Sequence, residues 1–95
     1  MKAELVSRDQ FLLAEGVRVE IMIWRVPRQL PGSQHPFKYR LALITHGICV
    51  LRYDNEAGKG DHKHIGEHEE PYEFADLDRL LLDFRADIEA WRAAQ

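Results

Sequence analysis

Lys38-Tyr39-Arg40-Leu41-Ala42-Leu43-Ile44-Thr45-His46-Gly47-Ile48-Cys49-Val50-Leu51-Arg52-Tyr53-Asp54 is the stretch on which the fold turns. Two runs rich in aliphatic and aromatic residues flank His46-Gly47, where glycine supplies the positive φ that a tight hairpin turn requires. With Thr45 facing Ile48, the register sets Ile44 against Cys49, Ala42 against Leu51 and Arg40 against Tyr53 on one side. On the other side, Leu43 faces Val50 and Leu41 faces Arg52. Both sides are largely apolar, so each face of the resulting sheet needs a cover.

Upstream, Val17 to Val26 alternates with period two and is rich in β-branched residues, the pattern of a half-buried strand. Glu15-Gly16 forms a turn before it, and Ala3 to Ser7 and Gln10 to Ala14 read as two shorter strands leading into that turn. Pro27 to Pro36 holds three of the four prolines together with Gly32 and Ser33, so it is a surface loop that cannot donate a regular ladder. Downstream, Leu77, Leu80, Leu81, Phe84, Ile88 and Trp91 fall on one stripe of a 3.6-residue period, with Asp76 as N-cap and Asp78 in the first turn. The expected architecture is a single α+β domain over residues 1–95. It comprises an antiparallel sheet of about five strands with one C-terminal amphipathic helix packed on one face.

Ninety-five residues with 45% hydrophobic and 31% charged side chains suit one small core and exclude a multi-domain enzyme or a disordered chain. No apolar run approaches the roughly 18 residues of a membrane span, and Met1-Lys2-Ala3-Glu4-Leu5 is not a signal core. The expectation is a soluble, cytoplasmic protein without membrane attachment. Cys49 is the only cysteine, which excludes an internal disulfide framework or a cysteine cage and leaves it to pack as a small hydrophobe. Residues 1–53 carry eight basic against four acidic side chains, residues 54–95 five against twelve. A locally basic sheet can meet a polyanion although the whole chain is acidic, and the bland reading is two solvated faces that partly neutralise each other.

Chemistry concentrates between the hairpin and the helix, in Arg52-Tyr53-Asp54-Asn55-Glu56-Ala57-Gly58-Lys59-Gly60-Asp61-His62-Lys63-His64. A strand ending in polar groups, a loop with two glycines around a lysine, then a His-x-His pair is the layout of a site on a strand edge with a mobile rim. In an extended segment His62 and His64 point to one face, with Asp61, Glu67, His68 and Glu69 near enough to complete a metal site, although Lys59 and Lys63 repel a cation. An EF-hand fails because the fifth and twelfth positions counted from Asp54 are Gly58 and Ile65. A P-loop fails because Gly60 stands where a hydroxyl residue is required and no glycine stands at the upstream position. Phosphodiester chemistry without a metal or other cofactor uses the same groups differently. His62 and His64 transfer protons, Arg52, Lys59 and Lys63 clamp phosphate, Tyr53 hydrogen-bonds or stacks, and Asp54 orients a histidine. Arg25, Arg40 and Asn55 join Lys63 as nucleic-acid contacts. The bland reading is a polar, solvated loop. His35 and His46 read as surface residues, and Glu67, Glu69 and Glu70 as a solvated acidic patch.

Several of these runs together resemble the TumE family of small bacterial proteins. They are Ile23-Trp24-Arg25-Val26, Tyr39-Arg40-Leu41-Ala42, Val50-Leu51-Arg52-Tyr53-Asp54-Asn55, Gly58-Lys59-Gly60-Asp61-His62-Lys63-His64, Glu70-Pro71-Tyr72-Glu73-Phe74 and Leu81-Leu82-Asp83-Phe84. The resemblance implies the toxin of a toxin-antitoxin pair whose partner is a helix-turn-helix antitoxin. By analogy with other small toxins it favours RNA as substrate, and a metal-independent endoribonuclease built on the His-x-His loop as the activity. The competing expectation is a non-catalytic binding or regulatory module. In that reading the sheet face bearing Arg18, Met22, Trp24 and Arg40 docks a protein or nucleic acid, and Met22 and Trp24 also form a homodimer interface.

Overall fold

The computed structural model describes residues 2–56, 58 and 60–95. Strands β1 (Glu4–Ala14), β2 (Val17–Arg25), β3 (Phe37–Thr45), β4 (Ile48–Asp54), β5 (His62–Ile65) and β6 (His68–Pro71) precede one helix, α1 (Leu77–Ala93). The strands pair in chain order, each antiparallel to the next, as a six-stranded meander. The α+β architecture is the expected one; the strand inventory differs at both ends. Ala3 to Ser7 and Gln10 to Ala14 are one strand, because register shifts at Leu5/Ser7 and Leu12/Ala14 let β1 follow β2 without breaking. The His-x-His segment is a strand and not a loop. It is paired on one side to β4 and on the other to β6 through a turn in which Gly66 takes φ +60°.

The central hairpin turns as expected, with His46 and Gly47 both at positive φ (49° and 82°). Its register departs from expectation after the second pair beyond the turn. Thr45 faces Ile48 and Ile44 faces Cys49, but the pairing then shifts and Leu43 faces Leu51, Ala42 faces Arg52, Leu41 faces Tyr53 and Arg40 faces Asp54. Val50 is thus the extra residue of a β-bulge. The uniform register would have set Arg52 beside Leu41 in the core. The bulge instead moves Leu51 and Tyr53 to the apolar face and sends Arg52 and Asp54 to the other, separating charge from core in a single step.

The apolar face holds Val19, Ile23, Tyr39, Leu41, Leu43, Leu51 and Tyr53, and α1 covers it with Leu80, Phe84 and Ile88. The Asp76 side chain accepts from the Arg79 backbone N–H at 2.7 Å and caps the helix as its sequence predicts. Leu81, placed on the buried stripe by its spacing, is 37% exposed. Cys49 is exposed rather than packed inside, two residues past the His46-Gly47 turn.

Candidate functional site

The second face of the sheet carries two rows of cross-strand partners that run across all six strands. One is Arg8, Met22, Arg40, Asp54, His62 and Pro71; the other is Gln10, Glu20, Ala42, Arg52, His64 and Glu69. Period-two alternation sets every side chain of these rows on the face away from α1. At the β4–β5–β6 end the two rows bring Arg52, Asp54, His62, His64 and Glu69 together.

Their geometry is tight. Asp54 Oδ1 lies 2.7 Å from His62 Nε2, and Asp54 Oδ2 lies 2.7 Å from Arg52 Nε. These are close contacts without aligned hydrogen bonds, since Asp54 Oδ1 and Arg52 Nε are both buried and neither has a hydrogen-bond partner among the described residues. His62 is 4% exposed, and its Nδ1 donates to the Gly60 carbonyl at 2.9 Å, which fixes the ring. Arg52 Nη2 donates to His64 Nε2 at 2.9 Å, so that nitrogen presents a lone pair. Burial and the Arg52 guanidinium lower the His64 imidazole from its ordinary value, with Glu69 acting in the opposite sense. The two imidazoles stand edge to face, 5.1 Å between centroids. Glu69 Oε1 is 3.9 Å from His62 Nε2 and Oε2 is 3.9 Å from His64 Nε2.

Of the residues singled out from sequence, Arg52, Asp54, His62 and His64 converge. Lys59 lies outside the described residues. Tyr53 and Lys63 stand on the opposite face, because each alternates with the convergent four. Tyr53 Oη donates to the Asp87 carboxylate and, at 3.3 Å, to the Asp83 carbonyl, while Lys63 Nζ donates to Asp87 Oδ2 at 3.2 Å. Burial and the Asp87 hydrogen bond push the Tyr53 phenol well above its ordinary range. Tyr72, 2.6 Å from Asp83 Oδ2, is raised for the same reasons. This cluster ties β4 and β5 to α1. Asn55 is fully buried and spent on backbone, accepting from Tyr39 N at 3.0 Å and donating to the Phe37 carbonyl at 2.7 Å. Arg25 lies over the Phe37 ring at the end of β2, on the core side of the sheet. Arg40 stays on the histidine face, bound to Glu20 at 3.1 Å.

One polar cluster was not legible in the sequence. His35 is buried rather than on the surface, stacked 3.7 Å from the Phe74 ring, with Nε2 2.7 Å from Asp61 Oδ2. Ser33 Oγ donates to Asp61 Oδ1 at 2.6 Å and Tyr39 Oη to Oδ2 at 2.6 Å, and burial with that bond raises the Tyr39 phenol. Serine and histidine both bind the carboxylate and not each other, so the trio is a clamp on the proline loop and not a nucleophile relay. No spacing links residues 33–35 to residue 61. The only sequence signal is the chemistry of a His-Pro loop rich in turn residues. A groove of about 420 Å³ continues the histidine face toward β1, lined among others by Arg8, Glu20, Met22, Trp24, Lys38 and Arg40.

Among the described residues no helix is long and apolar enough to cross a membrane. Searches of curated proteins and of solved structures return no match. A family model described as "Toxin TumE" matches residues 2–92, nearly the whole chain, and the chain therefore belongs to the TumE toxin family.

Proposed function

We propose that this toxin acts on RNA as a metal-independent endoribonuclease whose proton-transfer groups are His62 and His64. One observation carries the reading: two histidines on one strand face, their ring centroids 5.1 Å apart, with Arg52 on one of them and on the Asp54 carboxylate that faces the other. In-line cleavage needs a base on the ribose 2′-hydroxyl, an acid at the 5′-oxygen and a cation at the phosphate. His64 Nε2 presents a lone pair and takes the 2′-hydroxyl proton as that oxygen bonds to phosphorus. Arg52 turns from His64 to the phosphate oxygens. His62, held by Asp54 and the Gly60 carbonyl, gives the Nε2 proton to the departing 5′-oxygen, leaving a 2′,3′-cyclic phosphate. Asp54 positions both Arg52 and His62. As a toxin the chain has an antitoxin partner, which we assign to the helix-turn-helix class, in the cytoplasm.

Induced expression of the chain in a bacterial host, with growth and total RNA followed together, tests the reading. Growth arrest with RNA loss is expected. The His62→Ala, His64→Ala double variant abolishes both, and cleavage by purified protein persists in chelator. Arrest by a folded double variant sinks the proposal.

The groove at Met22 and Trp24 favours a second reading, in which this face binds a partner without catalysis, a second copy of the chain included. A sedimentation shift from dimer to monomer on Trp24→Ala, with RNA left intact by the wild type, would favour it.

A further inference from the structure

We infer that His62, His64 and Glu69 form a binding site for a divalent transition-metal ion of the Zn²⁺ type, completed by Asp54. The three ligand atoms lie within 4.8 Å of one another, and His64 and Glu69 are direct cross-strand partners. Two imidazole nitrogens and a carboxylate are the donors such ions prefer, and about 3.3 Å separates ligand atoms in a tetrahedral N/O site with metal–ligand bonds of ~2.0 Å. The two Glu69 oxygens each stand 3.9 Å from one histidine Nε2, a little wider than that spacing.

Two features go beyond the cluster itself. The His62 Nδ1–H is anchored on the Gly60 carbonyl, the outer contact that holds a ligating imidazole with Nε2 toward the ion. Asp54, 9% exposed at its side chain, aims Oδ1 at that same Nε2, and Oδ1 has no aligned hydrogen-bond partner among the described residues. A buried carboxylate oxygen beside a histidine nitrogen is a place that a cation can occupy. Arg52 now fills part of it: its guanidinium binds the His64 lone pair and the Asp54 carboxylate. The Arg52 side chain is 34% exposed, so it can leave for solvent when the ion enters.

The ion would replace the His62 Nε2 proton and occupy the His64 lone pair, removing both proton-transfer groups at once. That consequence, inhibition, rests on the ribonuclease reading; binding does not. Chelator-stripped protein titrated with Co²⁺, followed by its visible absorption, and with Zn²⁺ by calorimetry, is expected to saturate at one ion per chain. His64→Ala and Glu69→Gln should each weaken binding by tenfold or more, while His68→Ala, at a residue 68% exposed at its side chain, leaves it unchanged. Absence of saturable binding, or unchanged affinity in the His64→Ala and Glu69→Gln proteins, overturns the site. An occupied site with undiminished or increased RNA cleavage overturns the metal-free acid–base reading and leaves the site standing.

Discussion

Asp54 and His62 are cross-strand partners at the β4–β5 seam, and the buried carboxylate oxygen of the first stands 2.7 Å from the ring nitrogen of the second. The same carboxylate holds Arg52 through its other oxygen, so one residue sets the position of two in the candidate site. Asp54→Asn keeps the size and removes the charge. RNA cleavage is expected to fall about a hundredfold, the scale of one positioned proton-transfer group, with the far-ultraviolet spectrum unchanged. Wild-type cleavage rates in that protein would remove Asp54 from the site.

Tyr53 neighbours Arg52 and Asp54 in sequence but faces the helix. Tyr53→Phe deletes only the hydroxyl that reaches Asp87 and the Asp83 carbonyl. Denaturant unfolding should show a loss of about 1.5–3 kcal/mol, the range for hydrogen bonds to charged groups. Cleavage and growth arrest should match wild type. A catalytic loss without a stability loss would place the phenol in the site.

Asn55 directly follows Asp54 at the end of β4, yet its amide is consumed by Tyr39 N, the Phe37 carbonyl and Ser33 Oγ. Asn55→Ala leaves buried backbone groups unpaired and should cost about 2–4 kcal/mol, since each such group costs about 1–3 kcal/mol. Affinity for an oligoribonucleotide, measured below the lowered melting temperature, should not change.

How far the sequence could be read follows from the range of each signal. The helix stripe and the His46-Gly47 turn are short-range patterns, and both form where their spacing predicts, Leu81 excepted. The bulge at Val50 is invisible to alternation, because each candidate register leaves apolar residues on both faces until α1 chooses one. The bulge decides that Arg52 and Asp54 face His62 and His64, while Tyr53 and Lys63 turn to the helix. His62-Lys63-His64 reads as a loop because glycines and charges surround it; pairing to β4 and β6 supplies the order that its own propensity lacks. The Ser33–His35–Asp61 clamp joins residues 26 and 28 positions apart, beyond any periodic signal.

Gly60 links that clamp to the site. Its φ of +87° suits glycine, and a Cβ built there would lie 2.9 Å from the Gly32 carbonyl oxygen, a backbone atom that cannot swing aside. Its own carbonyl receives the His62 Nδ1–H. Gly60→Ala therefore strains the contact between the proline loop and the β4–β5 connection, and shifts the acceptor that orients the histidine. Stability should fall by more than ~1 kcal/mol, since an L side chain is forced into positive φ. Cleavage should fall further than the folded fraction does, because the loss at His62 adds to the loss of folded protein. The check is cleavage per folded molecule at a temperature where unfolding is complete in neither protein. Equal activity per folded molecule would mean that Gly60 serves the loop packing alone and that the His62 orientation is set by Asp54.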